Sequence, residues 1–144
     1  MEQQGNPNIL LVGVGGIGGM TIELLAPALE RIQRTCTITL MDGDIVEATN
    51  LGHQRFTKSD IGKPKTEVLA QRFTDFEYVT CHSVAENLRN TEQLEGYDFI
   101  LIGVDRPLPR RLVHASETPW IDICLLYTSP SPRDATLSRM PSSA

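Results

Sequence analysis

The residues near the N-terminus whose types and spacing most clearly suggest a chemical role are glycines in a short run. They are Gly13, Gly15, Gly16 and Gly18, and the run follows an apolar segment. Glycine lets the backbone turn sharply and approach a ligand, and the free N–H groups at the start of a helix favour negative charge. A glycine loop between a predicted strand and a predicted helix therefore indicates a site for the phosphates of a nucleotide.

Two aspartates come directly after the second predicted strand. Asp42 follows Gly18 by 24 residues, close to the spacing of about 20 residues at which a dinucleotide-binding sheet places its ribose ligand. We therefore expect Asp42 to accept hydrogen bonds from a ribose. Asp44 is a second candidate for the nucleotide site, although turns also recruit aspartate for their own backbone. These features alone do not separate a dinucleotide dehydrogenase from an enzyme that uses ATP.

Four basic residues lie in the irregular stretch after these aspartates. They are Arg55, Lys58, Lys63 and Lys65. Such a cluster beside a glycine loop supplies the positive charge that a triphosphate requires, although solvated surfaces also carry exposed basic residues. A further aspartate, Asp105, ends a buried apolar strand, and the carboxyl ends of parallel strands are where open α/β sheets bind ligands.

Alternating strands and helices must position these residues. Short apolar or β-branched runs predict strands, and apolar residues at helical spacing predict helices. The predicted strands are residues 9–14, 36–41, 78–84, 99–104 and 119–123, and the predicted helices are residues 18–34, 64–75, 91–94 and 107–117. This alternation is typical of an α/β fold, a Rossmann-like doubly wound and mostly parallel sheet with right-handed crossovers.

The segments around the predicted site are similar to the ThiF/E1-like adenylyltransferase family, which includes MoeB, HesA and the ubiquitin-activating enzymes. The matching segments are the glycine loop, residues 42–47, 50–56 and 60–65, and the sequence Gly103-Val104-Asp105. The resemblance covers nearly all of residues 9–123 and implies the ThiF/E1-like fold. It also implies that ATP and Mg²⁺ are used to activate the C-terminal carboxylate of a ubiquitin-like or sulfur-carrier protein.

Site residues follow from the resemblance at the matching positions. It implies that Asp42 holds the ribose and that Asn50 and Lys65 contact phosphates. It further implies that Asp105 holds Mg²⁺ near the reacting phosphoryl group. We expect the glycine loop and Asp44 to complete the nucleotide site.

One position departs from the family pattern. The family usually carries arginine where this chain has His53. Arg55, two residues further on, is the candidate to reach the same space, so we expect Arg55, Lys65 and Asp105 to act in the reaction. The resemblance also implies a homodimer in the parent protein.

Two other functions stay open. An NAD-dependent oxidoreductase would share the glycine loop and Asp42, but it would leave residues 50–65 without a role. A non-catalytic E1-like subunit that pairs with an active relative would fit His53, because a neutral imidazole is a poor substitute for a guanidinium on phosphate.

Composition argues against several classes of protein. The chain has 144 residues, a net charge of −5 and 40% apolar residues, which fits one globular domain and argues against a general nucleic-acid binder. It has neither an apolar run of the about 18 residues that a membrane span needs nor a signal-peptide pattern, so we expect a cytoplasmic protein. Its cysteines, Cys36, Cys81 and Cys124, have no C-x-x-C spacing and are predicted as reduced core residues.

The composition changes after residue 123. Residues 124–144 are rich in Ser, Pro and Thr and show no strand or helix period, which predicts a disordered tail. Their sequence resembles translated sequencing adapter, so we expect that they are not biological and that the native domain was cut off within its fold. We therefore expect residues 1–123 to form the N-terminal part of a ThiF-type nucleotide-binding domain, inactive as given.

Overall fold

The computed structural model describes residues 5–124 and the short strand at residues 127–128. Its strands are β1 (Asn8–Val12), β2 (Cys36–Met41), β3 (Val79–Val84), β4 (Phe99–Ile102), β5 (Trp120–Asp122) and β6 (Tyr127–Thr128). Its α-helices are α1 (Gly16–Arg31), α2 (Lys65–Gln71) and α3 (Pro107–His114), and short 3-10 helices cover Ala48–Asn50, Lys58–Asp60 and Thr91–Leu94. The elements therefore alternate along the chain as the sequence predicts.

One sheet contains these strands in the order β3-β2-β1-β4-β5-β6. The strands β1 to β5 run parallel, and β6 pairs antiparallel with β5. β1 lies at the centre, where Leu11 is in register with Leu40 of β2 and Leu101 of β4. Parallel neighbours need long crossover connections, and the helices supply them. The prediction of a Rossmann-like, mostly parallel sheet is confirmed.

Side chains of β1 alternate between two apolar cores, one on each face of the sheet. Leu11 packs in the core that contains Ile22 of α1 and Leu69 of α2. Leu10 packs in the opposite core with Val113 of α3. Each fully buried aliphatic side chain stabilises the fold by about 1.5–3 kcal/mol. The two cores fix α1, α2 and α3 against the sheet and thereby fix the loops at the carboxyl ends of its strands.

Three helix predictions need correction. The helix predicted over residues 18–34 is observed at Gly16–Arg31, and the helix predicted over residues 64–75 covers only Lys65–Gln71. The short helix predicted over residues 91–94 is present as a 3-10 helix. The helix predicted over residues 107–117 ends at His114. A turn follows it, in which the backbone N–H of Ser116 donates to the carbonyl of Val113. Pro119 then favours an extended residue before it, and the chain enters β5.

The segment after residue 123 is described only in part. Cys124 donates its backbone N–H to Oδ1 of Asp122, and Tyr127 and Thr128 pair with Asp122 and Ile121 of β5. Residues 125–126 and 129–144 lie outside the described residues, so the predicted tail stays a prediction there. Among the described helices, none has the length and apolar character that a membrane crossing requires.

Candidate functional site

A cavity of about 200 Å³ opens at the carboxyl ends of the central strands. Residues from the loops after β1, β2, β3 and β4 form its walls, together with α2 and the start of α3. The predicted site residues among them are Gly13, Gly15, Asp42, Asp44, Lys65 and Asp105. The structure therefore brings together predicted residues from four separate segments of the chain.

The glycine loop is shaped by close backbone contacts. Gly13 has a φ of +91°, a conformation that residues with a side chain rarely adopt. A Cβ on Gly18 would lie 1.7 Å from the carbonyl oxygen of Gly13. A Cβ on Gly103, in the loop after β4, would lie 3.1 Å from Cα of Gly18. The first turn of α1 can therefore pack directly onto β1 and β4 only because these residues are glycines.

The N-terminus of α1 is left uncapped by side chains. Gly15 is the N-cap residue, and the first turn carries no acidic residue. The first N–H groups of a helix have no partner within the helix, and they carry the positive end of its dipole. Gly13 and Gly15 line the cavity, so this positive end lies at its edge. The arrangement suits the binding of an anionic group.

Asp42 holds the glycine loop in place. Its Oδ2 accepts a hydrogen bond from the backbone N–H of Val14 at 2.9 Å, and its Oδ1 accepts one from the backbone N–H of Asp44 at 2.8 Å. An ionised carboxylate oxygen can accept more than one hydrogen bond. Asp42 can therefore serve the predicted ribose hydroxyl while it fixes the loop, although its first role in this structure is structural.

Lys65 places a buried ammonium group in the cavity. It is the first residue of α2, and its side chain is only 6% exposed. The Nζ atom lies 3.8 Å from Oδ2 of Asp44, and the backbone N–H of Lys65 donates to the Asp44 carbonyl at 3.1 Å. Burial of a charged group is costly unless it is well paired. The long distance to Asp44 leaves the ammonium suited to an anionic ligand.

Asp105 is the exposed end of a series of charged side chains that extends from the surface into the protein interior. Its carboxylate is exposed and pairs with Arg110 of α3. Arg110 also lies 3.2 Å, through Nε, from Oδ2 of the fully buried Asp122, which contacts Nε2 of His114 at 2.8 Å. The His114 ring stacks on Trp120 at a centroid distance of 4.1 Å. These contacts fix the start of α3 beside the cavity.

Several predicted residues do not line the cavity. Arg55 is mostly exposed and pairs with Glu23 of α1 at 3.0 Å. The Oδ1 of Asn50 accepts the backbone N–H of Glu47 at 2.7 Å, which closes the 3-10 helix of which Asn50 is the last residue. His53 is exposed. Gly16 and Gly18 lie in the first turn of α1 and do not line the cavity.

Three polar residues that line the cavity were not among the predicted site residues. Gln54 has a buried Oε1 atom with no hydrogen-bond partner in the structure. Asn87 accepts the backbone N–H of Gly43 through Oδ1 at 3.0 Å. Arg106 lies 3.5 Å from Asp44. Two of them carried a sequence signal, because Gln54 lies within the matching segment 50–56 and Arg106 is adjacent to the predicted Asp105.

The described cysteines are separate from the cavity and are free thiols. Burial, together with the smaller effect of the neighbouring Cys36, raises the pKa of Cys81 to about 12. Burial also raises the pKa of Cys36, although Arg34 opposes this shift. A thiol with a raised pKa is a poor nucleophile at neutral pH. The prediction that these cysteines are reduced core residues agrees with this placement.

Comparison with known proteins identifies similar sequences. The profile of the ThiF family matches residues 1–126. The chain is 33% identical over 114 residues to the NEDD8-activating enzyme E1 catalytic subunit of Caenorhabditis elegans, covering 76% of this chain and 25% of that relative. It is 33% identical over 110 residues to the adenylyltransferase and sulfurtransferase UBA4 of Yarrowia lipolytica, covering 74% of this chain and 26% of that relative.

Solved structures show the same fold. The Escherichia coli tRNA N6-threonylcarbamoyladenosine dehydratase TcdA in complex with ATP matches with a TM-score of 0.63 and 29% identity, covering 76% of this chain and 45% of that chain. Escherichia coli MccB with ATP matches with a TM-score of 0.64 and 26% identity, covering 80% of this chain and 36% of that chain. The chain thus spans about a quarter of the length of both curated relatives described above.

Proposed function

The chain belongs to the ThiF family, and from this premise we propose that it binds ATP as part of an adenylyltransferase. The substrate would be the C-terminal carboxylate of a ubiquitin-like or sulfur-carrier protein. The names of the NEDD8-activating and UBA4 relatives support this substrate class. The single observation that carries the proposal is the buried Lys65 ammonium in a cavity edged by the glycine loop.

The cavity fits the chemistry of a nucleoside triphosphate. Its phosphates would lie between the uncapped start of α1 and the ammonium of Lys65, since both favour negative charge. The unpartnered Oε1 of Gln54 and the amide of Asn87 offer further polar contacts to the nucleotide. Asp42, which already fixes the loop, would accept a hydrogen bond from the ribose.

The proposed reaction forms an acyl adenylate. A carboxylate oxygen of the carrier attacks the α-phosphorus of ATP, the bond to the β-phosphate oxygen breaks, and pyrophosphate leaves. No nucleophile from this chain is required. Lys65 and the N–H groups at the start of α1 would stabilise the charge that builds on the phosphate oxygens, and the fixed loop would hold the α-phosphorus in position.

Asp105 is the residue that would hold Mg²⁺. Within the described part of the chain, no three or more His, Cys, Asp or Glu side chains are grouped to bind a metal. Mg²⁺ bound with a nucleotide commonly uses one or two carboxylates together with phosphate oxygens and water. The exposed carboxylate of Asp105 on the cavity wall fits that donor set. The metal would neutralise charge on the leaving pyrophosphate.

A nucleotide titration of the 144-residue chain tests this proposal. Isothermal titration calorimetry should detect binding of ATP in the presence of magnesium, and NAD should bind more weakly or not at all. NAD carries only two phosphates, so it makes less use of the Lys65 charge. Tight binding of NAD without binding of ATP would overturn the proposal in favour of an oxidoreductase.

A further inference from the structure

Arg106 is a half-exposed residue of the cavity wall. It immediately precedes α3, and one of its guanidinium nitrogens lies 3.5 Å from Oδ2 of Asp44. The ammonium of Lys65 approaches the same oxygen at 3.8 Å. Two cations from different elements therefore share one carboxylate oxygen inside the cavity.

Neither cation is fully engaged by Asp44. A charge-assisted hydrogen bond between nitrogen and a carboxylate oxygen is about 2.7–2.9 Å long, and both distances here are longer. The other cavity carboxylates are engaged elsewhere, because Asp42 accepts backbone N–H groups and Asp105 pairs with Arg110. Arginine has five N–H donors and lysine has three. Most of the donors of Arg106 and Lys65 are therefore left for a ligand or for water.

We propose that Arg106 is a phosphate-binding residue of this site, which exchanges Asp44 for a phosphate group of the nucleotide. This inference rests on the proposed ATP-binding function. It assigns to Arg106 the guanidinium contact that the sequence predicted for Arg55, whose side chain pairs with Glu23 outside the cavity. It also explains how a phosphate site forms in a chain with His53 at the position of the family arginine.

The geometry favours a ligand role over a structural one. The side chains of Arg106 and Asp44 are 53% and 42% exposed, and an exposed ion pair contributes little to stability. The exposed guanidinium can turn from Asp44 towards a ligand without disturbing the core. Its planar fork matches two phosphate oxygens at once, whereas a lysine acts as a point charge.

Calorimetric titration of four forms of the chain tests the inference. The forms are the wild type, Arg106→Met, Arg106→Lys and, as the matched control, Arg111→Met. Arg111 is an exposed residue of α3, the helix that follows Arg106, and it does not line the cavity. The ligands are ATP and adenosine, which lacks phosphate groups. Thermal unfolding of each form checks that it is folded.

The expected result is specific to phosphate. Arg106→Met should bind ATP about tenfold more weakly, or about 1.4 kcal/mol, with unchanged binding of adenosine. Arg106→Lys should recover part of the loss, and Arg111→Met should match the wild type. If the wild type binds ATP and Arg106→Met binds it equally well, or if adenosine binding falls by the same factor, the role of Arg106 is refuted while the proposed function stands. If the wild type binds no ATP, the proposed function itself fails.

Discussion

The carboxylate of Asp42 accepts a hydrogen bond from the backbone N–H of Val14 at 2.9 Å, so the end of β2 is tied to the glycine loop after β1. The other carboxylate oxygen accepts the N–H of Asp44. One side chain thereby sets the positions of the loop that would bind phosphates and of the turn that carries Asp44. Fold and ligand site depend on the same two hydrogen bonds.

We expect Asp42→Asn to lower both stability and nucleotide affinity. Asparagine has one acceptor oxygen, so its NH₂ group would face one of the two backbone N–H donors. The free energy of unfolding should fall by about 1–3 kcal/mol, the cost of an unsatisfied buried donor. Urea unfolding measures this, and ATP titration should show weaker binding. Asp75→Asn, at an exposed position, should change neither quantity.

Alanine substitutions at two glycines of the loop should have different effects on the free energy of unfolding. A Cβ on Gly18 would lie 1.7 Å from a backbone oxygen, whereas a Cβ on Gly16 would have no neighbour within 4 Å. Gly18→Ala should lower the free energy of unfolding by at least about 3 kcal/mol, because backbone must move. Gly16→Ala should leave it unchanged or raise it by less than about 1 kcal/mol. Equal losses in urea unfolding would contradict the packing described here.

The fold was predictable because its signals are local. The apolar runs of β1 and β4 and the glycine loop each identify an element without knowledge of the rest of the chain. The rule that ligands bind at the carboxyl ends of parallel strands then predicts the positions of Asp42 and Asp105. Helix ends were less predictable, since the end of α3 at His114 depends on the turn that precedes Pro119.

The side-chain partners in the site were not predictable, because they depend on contacts between distant segments. Arg55 pairs with Glu23, 32 residues earlier in the chain. Asn50 caps its own 3-10 helix, a local use of an amide that its spacing from other motifs does not reveal. Asn87 enters the cavity from the loop after β3, where no motif indicates a ligand.

Glu30 should make the stability of the domain depend on pH. Its carboxylate accepts backbone N–H groups of Glu77, Tyr78 and Val79 at the start of β3. Desolvation raises the pKa of Glu30, but the three hydrogen bonds together outweigh it and lower the pKa below the usual 4.5. A lowered pKa means that this contribution to stability is present above pH 4.5 and is lost as the pH falls through the folded-state pKa.

The variant Glu30→Gln tests this dependence. Its melting temperature should be lower than that of the wild type at neutral pH, and the difference should shrink as the pH falls to about 3. Glu117→Gln, at an exposed position, should show no such trend. A difference that stays constant from neutral to acidic pH would show that the carboxylate charge is unimportant there.

Lys65→Met should weaken the binding of ATP without lowering the stability of the domain. The substitution removes a buried charge whose nearest carboxylate is 3.8 Å away, so the free energy of unfolding should be unchanged or higher. Affinity for ATP should fall by more than about tenfold, since a buried charge-assisted contact contributes about 1.5–3 kcal/mol. Lys63→Met, at an exposed position, is the matched control. A Lys65→Met variant that binds ATP like the wild type would remove the main support for the nucleotide site.

Asp105 and Asp122 share Arg110 but should have different roles. The side chain of Asp122 is fully buried and contacts both Arg110 and His114, whereas the side chain of Asp105 is 81% exposed. Asp122→Asn removes the fully buried carboxylate that faces both Arg110 and His114, so the free energy of unfolding should fall by up to about 3–5 kcal/mol, even though Arg110 keeps its contact with Asp105. Asp105→Asn should lower it by at most about 1 kcal/mol. The fluorescence of Trp120, the single tryptophan of the chain, reports unfolding in urea.

The magnesium dependence of ATP binding completes this comparison. If Asp105 holds the metal, ATP should bind the wild type more tightly with magnesium than with a chelator, and Asp105→Asn should lose that difference while it keeps its fold. Asp122→Asn should keep the difference at temperatures where the variant is still folded, because Asp122 does not line the cavity. A magnesium effect of the same size in Asp105→Asn and the wild type would show that the metal is held elsewhere.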